Sequence, residues 1–262
     1  MSTLAKMKGA KEHKGSFRKG PITFTPVEAG FRSFEGVAGQ LELTPTLKRR
    51  FRCVARFAAH DDPRQQLNGV RVTPHGVAAC DGSRFIQGVC LTGLPSSVTL
   101  PLSFVRLLLR LDVWFGACLV FTDDYRSCFI RVSDGVLVVP PIPGPYPDLS
   151  RLYPVGLAIG TFEVNGAART ALVQAEAEEE NFRSDGAVAL SESITFPSGA
   201  CVEYRPEGEV DLEVSLRYLL DAPATHFTVT AATCAITFAA GGYSGGIMPR
   251  RKQEKNTCHT TR

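Results

Sequence analysis

The chain has 262 residues, 44% of them hydrophobic, with 29 Lys and Arg against 26 Asp and Glu. That size fits one large or two ordinary domains with a real core. The longest apolar stretch, around 113–121, is too short to cross a membrane. No apolar signal core follows the basic N-terminus, so secretion is not expected. Charge is unevenly spread: residues 1–20 carry +5 and residues 249–262 carry +4, which leaves −6 for the body between them. An acidic body cannot hold nucleic acid by bulk charge, so any basic contact surface has to be gathered locally.

In chain order, residues 1–36 begin with a Lys/Gly/Ser-rich run that reads as a disordered basic arm. Residues 39–43 alternate like a strand. Thr44-Pro45 opens a helix expected to reach about Ala58, with Thr44 or Thr46 as its cap. Strands at 67–73, 77–80 and 85–91 follow, with turns at Pro74-His75-Gly76 and Asp81-Gly82. The pattern then recurs, with a strand at 98–100, a helix from Pro101 to about Leu111, and strands at 118–122, 127–132 and 136–139. A proline-rich run, 140–154, closes this part.

A second part has a strand at 161–164, a helix from Gly166 to about Glu180, and strands at 187–190, 193–197 and 200–204. Further strands are expected at 209–214, 227–230 and 235–239, with a short helix at 216–221. The strand–helix–three-strand unit thus appears about four times, two per domain, which favours a modular array over a pocketed enzyme. The domains are placed at 37–155 and 156–251, with a basic tail at 252–262.

At 100° per residue, Arg49, Arg52 and Arg56 fall within about 60° of one another on the first helix. Leu47, Phe51, Val54 and Ala58 lie opposite. Arg106 and Arg110 form an i, i+4 pair on the second helix. Such stripes suit phosphate contacts, which give affinity without reading sequence. The third helix carries Arg169 early but Glu176, Glu178, Glu179 and Glu180 late, so it reads as facing solvent or a partner chain. The eight cysteines show no CxxC and no Cys/His spacing, as expected of thiols in a reducing cytoplasm. No nucleophile elbow, P-loop or HExxH is present, and neither cofactor nor metal is expected. Asp61-Asp62 and Asp123-Asp124 are adjacent pairs, a poor start for a two-metal site, because neighbours on a strand point apart. Gly241-Gly242 and Gly245-Gly246 precede no helix and do not read as a phosphate loop.

Several ordered segments resemble the bacterial sliding clamp, the beta subunit of DNA polymerase III. They are Leu67-Asn68-Gly69, Asp81-Gly82-Ser83-Arg84-Phe85, Gly144-Pro145-Tyr146-Pro147-Asp148-Leu149 through Pro154, Asn181-Phe182-Arg183, Ser215 through Asp221, and Ile247-Met248-Pro249-Arg250. Ser83, Phe85 and Leu149 depart from the family pattern. The resemblance covers about Gly39 to Arg251 and implies an α+β fold of two clamp domains. Each would be a pair of β-α-β-β-β units, with outer antiparallel sheets and helices lining a ring.

It further implies contact with double-stranded DNA through Arg49, Arg52, Arg56, His60, Arg64, Arg106 and Arg110, the loop at His60 and Arg64 lying near the ring mouth. A peptide pocket is implied at Leu67, Gly82, Ser83, Arg84, Phe85, Pro147, Arg151 and Leu152, completed by Ser215, Tyr218, Ile247, Met248 and Pro249. The implied partners are DNA polymerase, a clamp loader and other proteins with clamp-binding peptides, in the cytoplasm at the nucleoid. The family's first domain has no counterpart ahead of Gly39, so closure as a homotrimer is expected, with a hetero-ring including a full-length clamp as the other assembly. An adaptor or decoy that keeps the pocket without encircling DNA, and a DNA nuclease, are the competing functions.

Overall fold

A computed structural model describes residues 3–7, 10–13, 16–26, 36–111, 113–114, 116–178, 186–197, 200–203, 205–208, 210–231 and 233–250. Asn181-Phe182-Arg183, Glu179, Glu180 and the tail at 252–262 lie outside them. The chain divides into two units, Met1–Asp148 and Leu149–Arg262, a few residues ahead of the boundary expected at 155.

Unit 1 contains the first two repeats. One runs β4 (Gly39–Glu42), α2 (Pro45–Val54), β5 (Gly69–Thr73), β6 (Gly76–Cys80) and β7 (Arg84–Val89). The other runs β8 (Val98–Pro101), α3 (Leu102–Arg110), β9 (Cys118–Phe121), β10 (Cys128–Val132) and β11 (Gly135–Val139). The repeats exchange their first strands: β4 pairs with β9, Leu41 opposite Leu119, and β8 pairs with β5, Leu100 opposite Val70. All four of these side chains are buried to the last percent. The exchange ties each repeat into the other's sheet, so neither can lose its first strand alone.

The N-terminal arm is the main departure from the sequence reading. Its described parts form a short helix, α1 (Thr3–Lys6), and three strands, β1 (Lys11–His13), β2 (Ser16–Lys19) and β3 (Ile22–Pro26). They extend the sheet to the order β1-β2-β3-β11-β10-β9-β4. Ile22 and Phe24 alternate inward at 3% and 2% exposure, and the Phe17 ring lies 6.4 Å from Phe24. Thr3 donates from its backbone N–H and from Oγ1 to the Asp134 carboxylate, at 2.8 and 2.5 Å. The basic composition that suggested disorder belongs to exposed positions such as Arg18 and Lys19, while a short period-2 apolar pattern supplies the buried face.

Unit 2 contains the other two repeats. The first is β12 (Gly160–Glu163), α4 (Gly166–Glu178), β13 (Ala187–Leu190), β14 (Ser193–Thr195) and β15 (Cys201–Glu203), with an added strand β16 (Arg205–Gly208). The second is β17 (Leu212–Ser215), α5 (Leu216–Asp221), β18 (His226–Val229), β19 (Ile236–Ala240) and β20 (Tyr243–Ile247). First strands are again exchanged, β12 pairing with β18 and β17 with β13. Phe162 and Phe227, opposite each other in that pairing, stack at 5.0 Å. β20 was not expected as a strand. Its Gly245 and Gly246 lie opposite Phe238 and Thr237 of β19, so backbone pairing carries a segment whose sequence has little β propensity.

Candidate nucleic-acid interface and peptide site

Helix α2 forms because Thr44 caps it, its side chain accepting the Leu47 N–H at 3.1 Å, and Pro45 opens the first turn. Leu47, Phe51 and Val54 form its buried face. The helix stops at Val54, four residues short of expectation, and the Arg56 N–H instead bonds the Cys53 carbonyl at 3.2 Å. Arg49 and Arg52 are therefore exposed on the helix, and Arg56 is exposed just past its end.

Helix α3 buries Leu102, Phe104, Val105, Leu107 and Leu108 and exposes Arg106 and Arg110. Trp114, 1% exposed, joins the two helices. Its Nε1–H donates to the Leu108 carbonyl at 2.9 Å, its ring meets Phe51 edge-on at 6.0 Å, and Lys48 Nζ sits 5.7 Å from the ring centroid. Sequence reading gave Trp114 no role, because its position after α3 carries no period that links it to α2. Together α2 and α3 carry Lys48, Arg49, Arg50, Arg52, Arg106 and Arg110 and no carboxylate. Their macrodipoles aside, this is a purely cationic pair of helices suited to a polyphosphate.

The loop after α2 is different. Asp62 turns its carboxylate onto Arg64 in a bidentate pair, Nε to Oδ1 at 3.0 Å and Nη2 to Oδ2 at 2.9 Å, and also accepts the Arg64 N–H at 2.8 Å. These bonds hold the Asp62 carboxyl below its usual value of 3.8 and push Arg64 up. Asn68 fixes the loop by exchanging bonds with the Asp62 backbone at 2.9 and 2.7 Å. His60 Nδ1 lies 2.7 Å from Asp61, which is exposed and has a left-handed φ of 60°. Arg64, expected as a phosphate contact, is thus already matched by Asp62. Its guanidinium lies over Gly82, where an added Cβ would fall 2.7 Å from Nη2. His60 and Arg106 border one groove of about 440 Å³ whose walls include Pro101 and residues 140–143.

The residues expected at a peptide pocket separate by exposure. In unit 1, Leu67 and Phe85 are each 1% exposed and Arg84 is 4% exposed. Leu67 sits in a 3₁₀ turn, Gln65–Asn68, where a strand was expected. Arg84 is a strut: Nε donates to Asp81 Oδ2 at 2.9 Å, Nη2 donates to the Arg56 carbonyl at 2.6 Å, and the guanidinium lies 4.8 Å from the Phe57 ring. These three side chains present almost no surface, whereas Gly82, Ser83 and Pro147 are exposed. Gly82 adopts φ 91° in a turn closed by Asp81, whose Oδ1 accepts the Ser83 and Arg84 N–H groups at 2.9 Å.

In unit 2, Ser215 and Ile247 are buried at 1% and 0% exposure, while Leu152 and Met248 remain 39% and 37% exposed. Arg151 is exposed, and Tyr218 and Pro249 are half-buried. Arg169 was read from sequence only as the early charge of its helix. Here it donates to the carbonyls of Leu219 at 3.2 Å, Leu220 at 3.0 Å and Ala222 at 3.1 Å, and to that of Ala224. It closes the C-terminal end of α5, the helix that carries Tyr218, where a cation complements the helix dipole. Burial lowers its pKa. Among the described residues no group of three or more His, Cys, Asp or Glu side chains could hold a metal.

No family model matches the sequence, and no curated protein matches it. Solved structures do. The DNA polymerase sliding clamp of Bacillus subtilis superposes with a TM-score of 0.68 at 19% identity, over 93% of this chain and 74% of that one. A ligand-bound sliding clamp from Pseudomonas aeruginosa gives 0.67 at 17%, over 92% and 76%. The Helicobacter pylori beta clamp bound to a DNA ligase peptide gives 0.68 at 15%, over 92% and 75%. The chain has the sliding-clamp fold. At these identities the likeness concerns architecture: repeated strand–helix–three-strand units and antiparallel sheets. Within that clamp fold, the cationic helices of unit 1 and the exposed Leu152 and Met248 of unit 2 are features of this chain's own residues.

Proposed function

We propose that this chain is a processivity clamp, which encircles duplex DNA and tethers DNA polymerase and other proteins to it. The observation that carries the reading is the cationic face of α2 and α3, with no carboxylate on either helix, in a fold shared with bacterial clamps over about nine-tenths of the chain. Arg49, Arg52, Arg56, Arg106 and Arg110 hold the phosphate backbone without reading bases. His60 contributes at the edge of that face, and Arg64 contributes little while Asp62 holds it.

The partner site is an apolar surface with a polar rim, which suits a short Leu- or Phe-bearing peptide. Leu152, Tyr218, Met248 and Pro249 give the surface and Arg151 the rim. Ser215 and Ile247 are buried in the same unit, and in unit 1 Asp81 and Arg84 brace the exposed Gly82-Ser83 turn. That the Helicobacter pylori clamp was solved with a ligase peptide supports a peptide site of this kind. In this reading the protein catalyses no reaction, depends on a separate clamp loader, and works in the cytoplasm at the nucleoid.

Two clamp-type units per copy make a ring of three copies the expected assembly, with a mixed ring including a longer clamp as the other. Native mass spectrometry combined with retention on closed circular DNA tests this. The expected result is a trimer that stays on circles and slides off once they are linearised; a strict monomer at micromolar concentration would sink the ring. A second reading, an adaptor or decoy that binds clamp-partner peptides without encircling DNA, is favoured by one observation. Helix α4 ends in Glu176 and Glu178, and its Arg169 is turned onto backbone carbonyls.

A further inference from the structure

The groove of about 440 Å³ that His60 and Arg106 border is built from unit 1 alone. Its volume falls in the roughly 300–1,000 Å³ range of small-ligand sites. Much of its wall is proline: Pro21, Pro101 and the run 140–143, in which only Ile142 is not proline. Two hydrogen bonds fix that run. The Ile142 N–H donates to the Thr99 carbonyl at 2.8 Å, and Gln66 Nε2 donates to the Pro143 carbonyl at 3.3 Å. With each proline φ locked by its ring, the wall needs little reordering to receive a ligand.

The polar groups of the groove divide into engaged and unengaged. His60 Nδ1 and Asp61 face each other at 2.7 Å, and Asn68 exchanges bonds with the Asp62 backbone. The side chains of Gln65, Ser103 and Arg106 are exposed and hold no hydrogen bond or ion pair among the described residues. The groove therefore offers an unmatched guanidinium, a neutral amide, a hydroxyl and an imidazole ring beside an apolar wall. Asp61, the one carboxylate among its lining residues, is already turned to His60.

Backbone contact with a duplex explains only the arginine. Arg106 belongs to the cationic pair α2 and α3, and phosphates held there need charge but no apolar wall and no amide. The part of a nucleic acid that is both apolar and rich in donors and acceptors is an unstacked base. Such bases stack on ring and guanidinium planes and hydrogen-bond along their edges. A strand leaving a duplex on α3 reaches the groove at Arg106 itself.

We propose that this groove takes one unpaired nucleotide of a DNA strand that adjoins the duplex. Its phosphate meets Arg106, its base lies against the His60 ring and the proline wall, and its edge faces Gln65 and Ser103. The proposal rests on the clamp reading of α2 and α3 and adds a preference to it: a duplex with a single-stranded extension binds better than a blunt one.

The test uses the full chain and labelled DNA hairpins, with affinity read by fluorescence anisotropy. One hairpin is blunt, and two carry a three-deoxyadenosine extension at the 5′ or the 3′ end. A fourth and a fifth carry the same extensions without bases. One extended hairpin is expected to bind about ten-fold tighter than the blunt one, or about 1.4 kcal/mol. Its abasic counterpart should lose most of that gain, which separates the base from the added phosphates. Ser103→Leu with Gln65→Leu fills the groove and removes both neutral polar groups. This pair should erase the gain and hold blunt-hairpin affinity within about two-fold. Both positions are exposed, so melting curves should match the parent. The groove reading is wrong if neither extension tightens binding, if the abasic extension keeps the gain, or if the gain survives in the double variant. It is also overturned if free dAMP, or the acidic peptide acetyl-Asp-Leu-Pro-Asp-Pro-amide, removes the gain below about 10 μM; the groove would then serve a soluble nucleotide or a polypeptide. The blunt hairpin checks the clamp reading separately. If it binds and no extension helps, the groove alone falls; if no hairpin binds, both fall.

Discussion

Helices α2 and α3 of unit 1 and helices α4 and α5 of unit 2 occupy equivalent places in one repeated plan, yet their charges serve different ends. Arg49, Arg52, Arg106 and Arg110 are exposed, on helices without a single carboxylate. In α4, Arg169 is turned back onto four carbonyls at the end of α5, and Glu176 and Glu178 follow it. In α5, Arg217 faces Asp221. A repeat therefore conserves where a helix sits and not what its outer face does. The backbone plan follows from buried positions, whereas exposed positions can change charge at little cost to stability. On the proposed clamp reading, the contrast puts DNA contact in unit 1 and partner contact in unit 2.

The largest effect should come from reversing charge in unit 1. Arg49→Glu with Arg52→Glu is expected to abolish retention on circular DNA. It should also flatten the dependence of log affinity on log salt by roughly 2, at about 0.9 for each phosphate no longer neutralised. Gln174→Glu, an exposed position on α4, should change duplex affinity less than about two-fold on the same reading. An equal loss from both variants would erase the division of labour. Met248→Asp should weaken a Leu/Phe-bearing peptide by about 30-fold or more, since a buried carboxylate finds no partner there. Duplex affinity, measured on the same sample, should stay put.

Stability measurements sharpen the comparison next. Phe51→Ala removes the ring that Trp114 meets edge-on and should cost about 3–5 kcal/mol in denaturant unfolding, loosening both basic helices. Arg169→Met leaves several carbonyls of the α5 end without their donor and should cost about 2 kcal/mol. Its peptide affinity should fall more than its duplex affinity, because α5 carries Tyr218. The smallest effect concerns Asp62. Its carboxyl titrates below 3.8 in the folded chain, so its pairing is complete above that value and is lost only as pH falls through the lowered one. Chemical-shift titration of the Arg64 Nε–H should show no change between pH 8 and pH 5. Asp62→Asn releases Arg64 and should raise duplex affinity by about two-fold at low salt.

Much of the plan was legible along the chain. Thr44-Pro45 marks a helix start because cap chemistry is local, and the spacing of Leu47, Phe51 and Val54 declares the buried face. Asp81-Gly82 declares a turn for the same reason. The order of the repeated strand–helix–strand units, short of the last strand of the fourth, needed nothing beyond period and punctuation. Where reading failed, the deciding neighbour was remote or the composition misled. The basic arm concealed the Ile22 and Phe24 alternation that builds β3 against β11. Glycine-rich β20 concealed a strand sustained by its neighbour.

The candidate site shows the same division. The sequence by itself determined which residue types stand on each helix, and so that a cationic stripe exists at Arg49 and Arg52. The family resemblance named Met248 and Leu152 as apolar contacts together with Leu67, Phe85 and Ile247, and the fold left only the first two exposed. Only tertiary structure decided the fate of individual charges and apolar groups. Asp62 takes Arg64, Asp81 and the Arg56 carbonyl take Arg84, and the end of α5 takes Arg169, while Val155 and Leu157 are left bare. The reason is physical: periodicity fixes the face of an element, but a guanidinium or an aliphatic group is committed by whatever the fold brings within a few ångströms of it, and those neighbours come from distant parts of the chain.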